Sequence, residues 1–206
     1  MATLFVDKVD PQSGTSLEIG SSGDTITIPS GATIANSGTA TGFGIDGITM
    51  AQQWRLTTDY TGNADPIASN WEEVDTDGYG RIGSAMSESS GIFTFPETGI
   101  YLIAFEVSTS NGGTSEYITS EIQTTTDNSS YDAATTTYGN AYASSTFSHV
   151  TSQFIFDVTN TSTHKCKFKN VKQNSSNITT KGDSSRNRTY VTFIRLGDTW
   201  WQIKNI

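Results

Sequence analysis

Residues 92–107 read IFTFPETGIYLIAFEV, and no other stretch limits the possible folds as tightly. Phe93 and Phe95 fall on one face if the first part is extended, and Tyr101, Ile103, Phe105 and Val107 fall on one face of the second. That period of two is the pattern of half-buried β-strands, and the intervening Pro-Glu-Thr-Gly predicts a turn joining an antiparallel pair. Such a pattern describes the core of a sandwich and carries no catalytic motif.

The rest of the chain agrees with an all-β class. Its 206 residues suffice for one good core and an appendage. Aromatic residues make up 11%, with four Trp, eight Tyr and ten Phe, and charged residues only 16%. Polarity comes mainly from Thr, Ser, Asn and Gly, of which Thr favours strands and Gly and Asn favour turns. The formal net charge of -9 argues against nucleic acid or an anionic membrane as a partner, since both need local positive potential. The basic residues are concentrated late, at Lys165, Lys167, Lys169, Lys172, Lys181, Arg186, Arg188, Arg195 and Lys204. Cys166 is the single cysteine, so no intrachain disulfide forms and no cysteine cluster holds zinc. The first ten residues lack the regions of a signal peptide, and no apolar run approaches the roughly 18 residues of a spanning helix; neither signal-peptide export nor membrane insertion is expected.

Four regions are expected: an attachment segment over 1–15, a repetitive β stalk over 16–48, a head over 49–197 and a tail over 198–206. In the stalk region Ser22-Gly23, Ser30-Gly31 and Ser37-Gly38 recur at a spacing of seven or eight and punctuate short strands. Ile19, Ile26, Ile28 and Ile34 are the large apolar groups there, too few for one copy to repay its ordering entropy. Several chains wound about a common axis would bury them; a flexible Gly/Ser-rich leader is the alternative. In the head, strands are expected at 53–57, 71–74, 117–123, 149–160, 165–171 and 189–196. An Asp-Gly turn is expected within DTDGYG (75–80), and a long exposed loop over 124–145. No stretch sustains a 3.6-residue period, so helix should be scarce.

Gly91-Ile92-Phe93-Thr94-Phe95-Pro96, Gly99-Ile100-Tyr101 and Phe105-Glu106-Val107 resemble the phenylalanine-proline-glycine-tyrosine signature of the jelly-roll head shared by tumour necrosis factor and complement globular-head proteins. Phe154-Ile155-Phe156-Asp157-Val158 and residues 189–197 (TYVTFIRLG) are similar to later strands of that head. The opening IGSSGDTITIPSGATIANSGTATGFG resembles the stalk preceding such heads in marine bacteriophage fibre proteins. The resemblance covers about two thirds of the chain and implies a jelly-roll sandwich in an intertwined homotrimer. It further implies a virion appendage made in the host cytoplasm, attached through its N-terminus to other virion proteins. The head would meet a host surface polysaccharide or protein from the tail; a capsid-attached fibre or decoration protein is the alternative. The chain departs from the family in continuing past the last strand as DTWWQIKNI, which would pack at a subunit seam or plug one pole.

The candidate residues follow from this frame. Tyr131, Tyr138 and Tyr142, in the expected loop, are placed for receptor contact, with packing of the loop onto the sandwich as the alternative. Ile19, Ile26, Ile28, Ile34, Phe93, Phe95, Tyr101, Phe105, Trp200 and Trp201 are expected in the core or the trimer contact. Lys165, Lys167 and Lys169 share one strand face, opposite a buried Cys166 and Phe168, and form a wet face or, failing that, an anionic-glycan site. No catalytic, cofactor or metal residue is assigned. His149 and His164 lack a third ligand, residues 75–79 lack the oxygen series of a calcium loop, and Glu72 and Glu73 point to opposite faces. No Gly-x-Ser-x-Gly elbow occurs, and an enzyme is not expected.

Overall fold

The structure, a computed structural model, describes residues 9, 13–17, 19–33 and 47–199. It divides into two compact units, Met1–Gly44 and Ile45–Ile206. In the first unit two Ser-Gly pairs form the turns expected of them. Asp24 N–H donates to Ser21 O at 2.9 Å and Ala32 N–H to Pro29 O at 3.1 Å. Gly23 and Gly31 take positive φ at the third position of each turn, as a type II turn requires. No strand connects these turns among the described residues, and Ile19, Ile26 and Ile28 are exposed in the single chain. Ile34 lies outside the described residues, as do Trp200 and Trp201.

The second unit is a jelly-roll sandwich of twelve strands among the described residues: β1 (Met50–Leu56), β2 (Tyr60–Thr61), β3 (Trp71–Glu73), β4 (Ser87–Ser89), β5 (Ile92–Thr94), β6 (Gly99–Asn111), β7 (Ser115–Thr125), β8 (Asp132–Ala141), β9 (Thr146–Val158), β10 (Lys165–Lys169), β11 (Ile178–Thr180) and β12 (Tyr190–Gly197). One sheet has seven strands in the order β2-β11-β6-β12-β1-β3, with β9 along the other edge of β6; the second has five, in the order β4-β5-β10-β7-β8. No helix occurs among the described residues.

The core is aromatic and lies between the sheets. β6 alternates strictly along its thirteen residues, turning Tyr101, Ile103, Phe105 and Val107 inward at full burial. Phe93, Cys166 and Phe168 answer from the second sheet, and Phe95 from the corner that follows β5. Phe105 and Phe168 stand 4.7 Å apart by ring centroids, as do Phe95 and Tyr101, within the range of favourable offset contacts.

Residues 92–107 thus correct one expectation. β5 and β6 are not paired with each other: β5 pairs with β4 and β10, and β6 with β9, β11 and β12. Pro-Glu-Thr-Gly is a corner where the chain changes sheet, so the two apolar faces meet across the core instead of lying side by side. The corner is fixed by Tyr101, whose hydroxyl donates to Glu97 O at 2.9 Å, and by Gly99. A Cβ on Gly99 would sit 2.8 Å from Gly197 O and closer still to Arg195 Nε, at a φ of +153°.

Residues 124–145 correct a second. They are chiefly strand, the end of β7 and all of β8, and β8 forms the outer edge of the five-stranded sheet. An edge strand buries little and needs no row of large apolar side chains, so Asp-Ala-Ala-Thr-Thr-Thr-Tyr-Gly-Asn-Ala carries none. β7 also departs from simple alternation, being buried on both faces from Ile118 to Gln123. Glu121 on its outer side accepts from Gln123 Nε2 at 2.7 Å and Thr136 Oγ1 at 3.1 Å, and lies 3.3 Å from Lys169 Nζ.

Candidate binding surfaces

The strand directions give the sandwich two ends. Met50 pairs with Arg195, so the chain enters β1 and leaves β12 at one end, near the 95–99 corner. β6 runs from there to Asn111, a length of roughly 40 Å. At the far end lie the 112–114 turn, the 142–145 connection and the 170–177 loop. The Asp-Gly turn forms as expected: Tyr79 N–H donates to Thr76 O at 3.1 Å, with Asp77 and Gly78 both at positive φ.

The three tyrosines are separated by this layout. Tyr131 packs onto the five-stranded sheet at the entry end, with Lys167 Nζ 4.9 Å from its ring centroid. Its hydroxyl is buried without a hydrogen-bond partner among the described residues, and burial raises its pKa. Tyr138, in β8, is 69% exposed and Tyr142, beyond the far end of β8, is 80% exposed. Neither side chain makes a hydrogen bond or ring contact among the described residues.

Cys166 and Phe168 are buried as expected, but the lysine face opposite them is half-buried and partnered rather than simply wet. Lys165 Nζ donates to Thr94 Oγ1 at 3.0 Å, and Lys167 and Lys169 lie 3.3 and 3.6 Å from the Asp65 carboxylate. These internal partners arise because β10 is an inner strand of its sheet. Burial pushes the Cys166 thiol up, out of the reactive range.

Register assembles a second surface that single strands do not reveal. Ile155 in β9 faces Leu102 in β6, Leu102 faces Ile194 in β12, Ile194 faces Ala51 in β1, and Ala51 bridges to Ile82. This aliphatic row crosses the outer face of the seven-stranded sheet. Ile155 is 59% exposed, and Phe147, also on that side of β9, is exposed as well. Nearby on the same face, His149 Nε2 lies 2.9 Å from Glu106 Oε2, and His149 Nδ1 lies 3.4 Å from Ser108 Oγ. The connectivity is that of a serine-histidine-carboxylate triad, but the serine contact exceeds the reach of about 2.6–3.2 Å needed for proton transfer. Ser108 N–H already donates to Thr189 Oγ1 at 3.1 Å, so it is not offered to an oxyanion. This is a hydrogen-bonded surface cluster. His164, buried and stacked on Phe156, is a packing residue. No group of three or more His, Cys, Asp or Glu among the described residues could hold a metal ion, and no helix there is long and apolar enough to cross a membrane.

A third feature lies at the far end. Lys172 is buried without an ion pair among the described residues. Its Nζ donates to Thr180 Oγ1 at 2.6 Å and stands 4.6 Å over the Tyr60 ring, and burial pushes its pKa down to about 8. Burial also raises the pKa of Tyr60. Beside this cluster is an open polar cavity of about 570 Å³, bounded by the start of β7, the end of β8 and the 170–177 loop. Sequence reading missed both the cavity and the aliphatic row.

No protein-family model matches the sequence, and no curated protein matches it. Solved structures do match in fold. Murine APRIL aligns with a TM-score of 0.52 at 13% identity over 71% of this chain and 98% of that one. Eiger TNF from S. frugiperda aligns with a TM-score of 0.53 at 10% identity over 73% of this chain and 94% of that one. The head has the jelly-roll fold of these proteins.

Proposed function

We propose that this chain is a non-enzymatic virion appendage, a homotrimeric tail-fibre protein whose jelly-roll head meets the bacterial host surface. Residues 1–15 attach it to other virion proteins, and the assembly takes place after synthesis in the host cytoplasm.

The observation that carries the self-assembly reading is the aliphatic row on the outer face. Strands covered on both faces read as continuous apolar runs, and strands wet on one face alternate. Tyr101-Leu102-Ile103-Ala104-Phe105 and Phe154-Ile155-Phe156 are continuous runs, yet the described residues of the single chain cover only one of their faces. A second copy supplies the missing cover. The jelly-roll likeness favours closed threefold symmetry, which leaves no apolar face over. The exposed isoleucines of the first unit fit the same assembly, since three winding chains bury groups that one cannot. Three heads on one stalk also multiply weak surface contacts by avidity.

Gold-labelled antibody against residues 49–197, imaged on intact virions, tests the placement. Label on the tail fibres supports the proposal. Label on the capsid transfers the same module to a stabilising or weakly adhesive role, and virions without label contradict both.

A further inference from the structure

The geometry points to a saccharide-binding groove at the far end of the head, lined by Thr114, Ser115, Glu116, Asn140, Gln173 and Asn174. The inference deepens the host-surface reading and rests on it. The cavity of about 570 Å³ falls within the usual range of small-molecule sites, about 300–1,000 Å³.

Its frame is locked by backbone and amide bonds. Gln173 Oε1 accepts from Glu116 N–H at 2.8 Å, and Asn174 Nδ2 donates to Thr114 O at 3.0 Å. Asn177 Nδ2 donates to Asn174 Oδ1 at 3.0 Å, while Gly112 N–H donates to Asn177 O at 2.7 Å. Gly112 permits the last contact, because a Cβ there would stand 2.9 Å from Asn177 O. A frame held this way loses little freedom when a ligand arrives.

Against the locked frame, several polar groups keep their hydrogen-bonding capacity. The Asn140 side-chain amide, Gln173 Nε2, the Glu116 carboxylate and the Thr114 hydroxyl have no partner among the described residues. Together they offer donors and acceptors side by side, the complement of vicinal hydroxyls, which both donate and accept. Tyr142 follows Ala141 of the lining and Tyr117 follows Glu116. Both rings are exposed outside the lining, so recognition in the groove itself falls to its polar groups. Glu116 is the single formal charge of the lining, so the groove favours a neutral saccharide and repels an anionic one. The groove lies at the opposite end of β6 from the start of β1, roughly 40 Å away.

Saturation-transfer NMR on the full chain tests this, using methyl glycosides of neutral hexoses and N-acetylhexosamines with a methyl uronate as the anionic probe. Ring-proton signals are expected from at least one neutral glycoside and none from the uronate. Asn140→Ala and Gln173→Ala should each weaken binding about five- to tenfold, the loss of one hydrogen bond to a neutral group. Lys167→Ala, on another face, should not change it, and far-UV circular dichroism checks that each variant is folded. No signal from any neutral glycoside overturns the inference, as does a signal that neither groove variant alters. Adhesion of fluorescent protein to host cells separates the two claims. Adhesion without glycoside binding removes the groove and keeps the host-surface function; glycoside binding without adhesion does the reverse.

Discussion

The two faces of the seven-stranded sheet carry similar side chains in different surroundings. On the inner face Tyr101, Ile103, Phe105, Val191 and Phe193 are all fully buried, and the second sheet supplies their partners. On the outer face Ile155, Leu102, Ile194, Ala51 and Ile82 line up across the strands with no second layer over them among the described residues. The inner face folds the chain, and the proposed assembly assigns the outer face to another copy of it. On that proposal one strand encodes both tertiary and quaternary contacts, on alternate residues.

The contrast is broken most severely from the inside. Phe105→Ala leaves a cavity beside Phe168 and should cost about 3–5 kcal/mol, read as a large fall in the urea midpoint. Gly99→Ala acts at the corner that joins the two sheets, where a Cβ meets Gly197 O and Arg195 at positive φ; a loss of about 2 kcal/mol by the same measurement is expected. Lys172 sharpens the picture of the interior, because it is a charge taken into it. Its folded pKa near 8 lies below the usual 10.5, so between those values the unfolded chain holds more protons and stability rises with pH. Between pH 7.5 and 9 the wild type should gain about 1 kcal/mol relative to Lys172→Met. In both proteins an opposing trend begins within that window and grows above it. Cys166 and then Tyr101, raised to about 12, keep in the folded state protons that the unfolded chain releases. The smallest effect on the fold is expected outside: Leu102→Glu should change the stability of the single chain by less than about 0.5 kcal/mol while abolishing assembly, read by sedimentation.

Much of this was legible in the sequence because period-two patterns report burial directly. The alternation of β6, the buried Cys166 and Phe168 of β10 and the Asp-Gly turn were all readable from local residues. Partnership was not. Phe93 and Phe95 followed by Pro-Glu-Thr-Gly and Tyr101 suit a hairpin and a sheet-changing corner equally, since alternation gives a face but not a neighbour. β8 escaped notice because an edge strand of Thr and Ala lacks a large apolar face, and β2, β4 and β11 are too short to show a period. The aliphatic row depends on register among distant strands; its local trace was the unbroken run through Leu102 and through Ile155, where a half-wet strand would place polar residues. The far-end cavity joins residues near 115, 140 and 174, which only the fold brings together.

The central claim is that the outer face is a subunit contact, and the solution mass of the purified full-length chain by light scattering tests it most directly, with a second chain begun at Gly47 for comparison. Three times 22.2 kDa for the full chain, with the shortened chain still trimeric, is the predicted result; a mass of 22.2 kDa for the full chain would contradict it.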